Sequence, residues 1–235
     1  MVQTFFLALD YETDDEVYEK GSAAIDFLRN EFDRDFVDQR VGVKLNVDAL
    51  TGTIDSRYMA FRNIFGDLKI SHGADTGKRL IAKMVKKEKI PLRYVTVSAN
   101  FGPQILKEYV EAGREYGVDI IAFTVHTKIA PEHVERMYNR SLADEIYILG
   151  QIASEAGCDA MVCEGAMLKD ERIRGLPIKK LVTGIRLDPA DAGTQKRVTA
   201  VEELTRLKPY VDYAVISSKN VNNFESLKEV LYALK

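Results

Sequence analysis

A chain of 235 residues, 46% of them hydrophobic, is the size of one large α/β domain and too apolar to stay disordered. Its 33 basic and 36 acidic residues leave a net charge of −3, which excludes a broad cationic face for nucleic acid. The two cysteines, Cys158 and Cys163, fall in one short segment and point to neither a disulfide framework nor a zinc site.

Phe5 to Asp10 (FFLALD) is the first apolar run of strand type. The acidic residues that begin at Asp10 cut this run short, so no secretory signal is expected. Thr13 to Phe32 has helical spacing, with Val17, Ala24, Ile25, Phe27 and Leu28 apolar. Asp14, Asp15 and Glu16 stand at its start, where the helix dipole favours negative charge. Val41 to Asn46 (VGVKLN) and Gly66 to Ser71 (GDLKIS) are the second and third strand runs. Thr76 to Glu88 places Leu80, Ile81 and Met84 on one helical face, and the basic run Lys83 to Lys89 reads as that helix's C-terminal end. Tyr94 to Ala99 (YVTVSA) is the fourth run, followed by a helix over Pro103 to Gly113 that opens on proline. Val118 to Val125 (VDIIAFTV) is the fifth, and a long helical stretch from Pro131 to Ala156 breaks near Ser141. Asp159 to Glu164 (DAMVCE), Lys180 to Ile185 (KLVTGI) and Tyr213 to Ser218 (YAVISS) complete eight strand runs. Helices over Val201 to Leu207 and Asn223 to Leu234 flank the last of them.

Eight strand–helix units over residues 1–235 fit a single-domain (β/α)₈ TIM barrel. The rival is an open doubly wound sheet, but no Gly-x-Gly-x-x-Gly follows the first strand and no P-loop is present. No segment approaches the roughly 20 apolar residues needed to span a bilayer, so a soluble, cytoplasmic protein without membrane or nucleic-acid partners is the expectation.

Active sites of such barrels lie at the C-terminal ends of the strands. Asp10 ends the first run, Lys44 and Asn46 lie on the second, and Asp67 and Lys69 on the third, with His72 and Asp75 just beyond. Ser98 and Asn100 end the fourth, Thr124, His126 and Thr127 the fifth, and Glu164 the sixth. Arg186 and then Gln195 follow the seventh, while Ser217, Ser218 and Lys219 end the eighth. Lysine inside an apolar strand is costly unless paired. Lys44 and Lys69 have Asp10 and Asp67 as partners, and the spacing of Asp67 and Lys69 puts both on one face. From spacing alone this cluster is either a proton-transfer device or a buried salt-bridge network. His133 reads as a solvated residue near a helix start, and His126 as a weaker candidate for the lining of the site's mouth.

The run Asp67-Leu68-Lys69-Ile70-Ser71-His72-Gly73-Ala74-Asp75-Thr76 resembles the Asp-x-Lys-x-x-Asp-Ile-Pro-x-Thr motif of the orotidine 5′-phosphate decarboxylase family. Leu7-Ala8-Leu9-Asp10 resembles that family's first strand, and Val43-Lys44 its second-strand lysine. Thr183-Gly184-Ile185-Arg186 is similar to the family's Pro-Gly-Ile-Arg, and Gln195-Lys196-Arg197-Val198 to its Gln-x-Arg-Val. The pieces run in order over nearly the whole chain.

The resemblance implies a decarboxylase of orotidine 5′-phosphate in pyrimidine biosynthesis. It implies a homodimer with both active sites at the interface, and neither a metal nor an organic cofactor. By motif position Lys69 delivers a proton to C6 of the pyrimidine and Asp67 sits beside the departing carboxylate. Lys44 holds Asp67 and the ribose, which Asp10 contacts. Thr76 is the threonine of the motif, Thr127 stands where the family often has a serine that reads the pyrimidine edge, and Gln195 reaches the phosphate. Departures accompany the match. His72 replaces the aspartate donated across the interface, and Gly73-Ala74 replaces Ile-Pro. Ser98 stands at the fourth-strand histidine position, and Ser218-Lys219 replaces the phosphate-binding Gly-Arg of the eighth strand. Lysine still neutralises phosphate but lacks arginine's bidentate fork. Three readings follow: a working decarboxylase with His72 in the aspartate's role, a paralogue acting on another phosphorylated substrate, or an inactive phosphate-ligand-binding protein. A magnesium-dependent paralogue is disfavoured by Asn46, which stands where an acidic ligand is wanted.

Overall fold

The computed structural model describes residues 2–50, 54–87, 89–187 and 199–235. Its elements run β1 (Thr4–Ala8), α1 (Asp14–Glu31), α2 (Arg34–Arg40), β2 (Val41–Asn46), α3 (Val47–Leu50), β3 (Ile64–Ile70), α4 (Ala74–Ala82), β4 (Leu92–Ser98) and α5 (Gly102–Tyr116). They continue β5 (Asp119–Phe123), α6 (Pro131–Tyr138), α7 (Leu142–Ala156), β6 (Ala160–Cys163), α8 (Glu171–Gly175) and β7 (Lys179–Arg186). The last are β8 (Thr199–Ala200), α9 (Val201–Leu207), β9 (Tyr213–Ile216), α10 (Ser218–Val221) and α11 (Phe224–Leu234).

Strand ends meet the expected ones closely. The helices follow their end signals. Thr13 caps α1 by accepting from the Glu16 N–H at 3.2 Å, and its hydroxyl donates to the Glu16 carboxylate at 3.2 Å. Ser141 accepts from the Asp144 N–H at 3.1 Å and starts α7, so the long helical stretch breaks where expected. The basic run after α4 departs from expectation: Lys83–Lys87 winds as a π-helical turn instead of extending the α-helix.

β1 to β7 and β9 are parallel and close on themselves, with β9 between β7 and β1 and β6 pairing β7. This is the (β/α)₈ barrel. The two-residue β8 pairs only the end of β7. Alternation along each strand divides the core in two. Outward-facing side chains such as Phe5, Leu7, Val43, Val95 and Val97 pack under the helices. Inward-facing Phe6, Phe65, Tyr94 and Tyr213 fill the barrel with Ile121, Ala160 and Leu181. Phe6 lies 5.1 Å from both the Phe65 and Tyr94 ring centroids, and Tyr94 lies 5.6 Å from Tyr213. Two residues further along the strands come Ala8, Asp67 and Thr96, so this aromatic layer is the floor of whatever lies at the barrel mouth. Cys158 and Cys163 are buried free thiols, Cys158 just before β6 and Cys163 at its end. Among the described residues no helix is long and apolar enough to cross a membrane.

Candidate active site

A cavity of about 120 Å³ opens over the aromatic floor at the C-terminal ends of the strands. Asp10, Lys44, Asp67, Lys69, Thr127 and Ser218 line it, so six of the residues expected from sequence come together. Ala8, Phe65, Phe123, Val162 and Val215 supply an apolar wall. Gly184, with φ of 70°, turns β7 at the rim in a conformation glycine adopts freely.

Register explains the meeting. Ala8 pairs with Lys44, and Asn46 pairs with Asp67, which sets Asp10, two residues past β1, and the charged side chains of β2 and β3 at adjacent levels. The Lys44 ammonium donates to Asp10 Oδ1 and to Asn46 Oδ1, each at 2.6 Å, and lies 3.7 Å from Asp67 Oδ2. An ammonium has three N–H donors, and three oxygens surround this one. Asn46 in turn donates to Asp10 Oδ1 at 2.7 Å. Lys69 has a different environment: its Nζ donates to Asp67 Oδ2 at 2.6 Å, and a third of its side chain remains accessible.

Asp67 is the centre of the cluster. Burial pushes its carboxyl up, but Lys44 and Lys69, together with hydrogen bonds from Lys69 and Thr96, outweigh burial and hold it below the ordinary carboxylate range. It is therefore ionised at neutral pH. Lys69 itself has a φ of 46°, and the register of β3 against β4 shifts between Gly66 and Ile70. Simple alternation would place Asp67 and Lys69 on one face. Both do line the cavity, but a bulge carries Lys69 there.

Other expected residues lie elsewhere. His72 is exposed in the turn between β3 and α4, outside the cavity lining, and its backbone carbonyl accepts from Tyr109 Oη at 2.8 Å. Thr76 is exposed on α4, where its hydroxyl accepts from Arg79 at 3.1 Å. Lys219 is exposed at the start of α10, next to the lining residue Ser218. Gln195 lies outside the described residues. His126 packs its ring edge-on to Phe123 at 5.9 Å beside the mouth, and His133 is exposed on α6. Asn46, expected at the end of the second run, joins the cluster through its side-chain amide, whereas Thr96 is a member that the strand ends did not single out. The signal for Thr96 was a hydroxyl within an apolar run, two residues before Ser98.

Residues 3–218 match the model of the orotidine 5′-phosphate decarboxylase / HUMPS family. The chain is 26% identical over 181 residues to an orotidine 5′-phosphate decarboxylase of Salmonella newport, covering 74% of this chain and 72% of that one. It is 31% identical over 141 residues to that of Afipia carboxidovorans, covering 59% and 58%. In fold it is similar to a crystal structure of orotidine 5′-phosphate decarboxylase from Lactobacillus acidophilus, with a TM-score of 0.72 over 99% of both chains at 17% identity. A conserved protein of Geobacillus kaustophilus aligns with a TM-score of 0.70 over 98% of this chain at 18% identity. With a family match spanning nearly the whole barrel and its cluster at the strand ends, this chain belongs to the orotidine 5′-phosphate decarboxylase / HUMPS family.

Proposed function

We propose that the chain decarboxylates orotidine 5′-phosphate to uridine 5′-phosphate, with Lys69 as proton donor. The observation that carries this reading is the unequal partnering of two lysines around one buried, ionised aspartate. Lys44 is enclosed by Asp10, Asn46 and Asp67, whereas among the described residues the Lys69 ammonium meets Asp67 and lines the cavity. Lys44 is thus a fixed charge and Lys69 a deliverable proton.

In this reading the pyrimidine enters the cavity with its C6 carboxylate beside Asp67. Two anions at close range disfavour the ground state, and loss of carbon dioxide relieves the repulsion. The electron pair of the broken bond stays on C6 and takes a proton from Lys69 Nζ, so the step balances without a redox partner. Asp10 engages Lys44 and Asn46 through Oδ1, which leaves Oδ2 for a ribose hydroxyl. Thr127 reads the pyrimidine edge. The phosphate lies by Ser218 and Lys219, with Gln195 contributing from the segment after β7.

A homodimer completes the site in this reading. His72 is exposed and turned out of its own cavity, which suits a residue that serves the partner's site. There an imidazole stands in place of a carboxylate, which removes a fixed negative charge. A metal-dependent paralogue gains no support from the cluster, because the Asn46 amide is engaged with Lys44 and Asp10.

The deciding experiment is the ultraviolet assay for loss of orotidine 5′-phosphate on incubation with the pure protein. Turnover is expected. A folded, dimeric protein that leaves the nucleotide unchanged would overturn this reading in favour of another phosphorylated ligand.

A further inference from the structure

Thr96 is 1% exposed and faces the barrel interior one layer above the aromatic floor. A hydroxyl in such a place must find partners, and the ones it finds are both in the site. Its Oγ1 accepts from the backbone N–H of Lys69 at 2.8 Å and donates to Asp67 Oδ1 at 3.1 Å. Lys69 stands in the left-handed region that lysine rarely enters, at the point where the ladder between β3 and β4 loses register. At a bulge the extra residue loses its regular partner on the neighbouring strand. Here the Thr96 hydroxyl accepts the Lys69 N–H. One side chain of β4 therefore ties down the backbone that aims Lys69 and the carboxylate that Lys69 meets.

We propose that Thr96 is a positioning residue: its hydroxyl locks the bulge at Lys69 and orients Asp67, so that the ammonium and the carboxylate hold fixed positions towards the substrate. The kinetic consequence rests on the decarboxylase reading above, while the structural consequence does not. Dislodging either group by a fraction of an ångström is enough to slow a reaction that depends on a near-attack geometry.

The test compares Thr96→Val, which keeps the shape and removes the hydroxyl, with Thr96→Ser, which keeps the hydroxyl. Orotidine 5′-phosphate kinetics and crystal structures are measured for both and for the unaltered chain. Thr96→Val is expected to lose about 10- to 100-fold in kcat with KM within about threefold, as for loss of an interaction made in the transition state. Thr96→Ser is expected to restore turnover to within about fivefold. In the Thr96→Val crystal, Lys69 should leave its positive φ, or the 2.6 Å contact between Lys69 Nζ and Asp67 Oδ2 should open. Unchanged kcat in Thr96→Val, or a Thr96→Ser variant as slow as Thr96→Val, overturns the proposal. If the unaltered chain proves inert towards the nucleotide, the decarboxylase reading fails by itself. Thr96 is then judged on the crystals: Lys69 and Asp67 unmoved in Thr96→Val refutes it, and their displacement supports it. Should Thr96→Val not fold, Thr96→Ala removes the same hydroxyl with less apolar bulk and takes its place.

Discussion

Lys44 lies buried among three oxygens, whereas Lys69 is 34% accessible and, among the described residues, meets one. Removing each should therefore leave a different signature. Lys44→Ala strands Asp67 and Asp10 beside each other with a missing countercharge, so urea unfolding at neutral pH should show a loss of about 3 kcal/mol. Lys69→Ala should cost less in stability than Lys44→Ala, because buried Asp67 keeps Lys44 as its countercharge, yet abolish turnover. The first loss has a pH dependence. Asp67 titrates below its ordinary range when folded, so its ion pair stabilises the protein above that range and is lost as pH falls through the depressed value. The gap between Lys44→Ala and the unaltered chain should accordingly narrow below the ordinary carboxylate range; a gap independent of pH would show that Asp67 is not what Lys44 holds. The sequence announced these residues because charge inside an apolar strand run is anomalous. It did not announce the role of Thr96, since threonine is an ordinary strand residue, nor the bulge, since lysine carries no signal for positive φ.

At the scale of elements, α4 and α5 meet through Gly77 and Tyr109. A Cβ on Gly77 would stand 2.1 Å from Tyr109 Oη, which itself donates to the carbonyl of His72. Gly77→Ala must push the ring away, part the helices and loosen the turn that presents His72. A loss of about 2 kcal/mol is expected, with a fall of several degrees in Tm; a variant as stable as the unaltered chain would show that Tyr109 has room to move. Element order was legible wherever apolar residues recur over several turns, and the break at Ser141 was legible from its capping hydroxyl. The short helices α2, α3 and α8, of seven, four and five residues, were not. Helices so short owe their form to packing and caps more than to periodicity: Asp33 caps α2 through the Phe36 N–H at 2.9 Å, and Asp170 caps α8 through the Arg172 N–H at 2.9 Å.

For the molecule as a whole, eight alternating units implied closure, and the parallel ladder from β1 round to β9 realises it. Assembly is another matter, because nothing in the periodicity of one chain specifies a partner. The cavity, exposed His72 and exposed Val47 at the start of α3 all lie towards the strands' C-terminal ends, so a second copy docked on that end would bring its own His72 near this cavity. Such an arrangement can be tested by mixing inactive chains. In a homodimer with shared sites, Lys69→Ala and His72→Ala each spoil both sites. A hybrid of the two variants regains one complete site, built from Lys69 of one protomer and His72 of the other. Random reassortment makes about half the dimers hybrid, so about a quarter of the unaltered activity should return on mixing. If His72 serves its own chain, or serves no site at all, mixing restores nothing beyond the sum of the parts. A His72→Ala variant with full activity by itself would remove His72 from the machinery while leaving Asp10, Lys44, Asp67 and Lys69 in place.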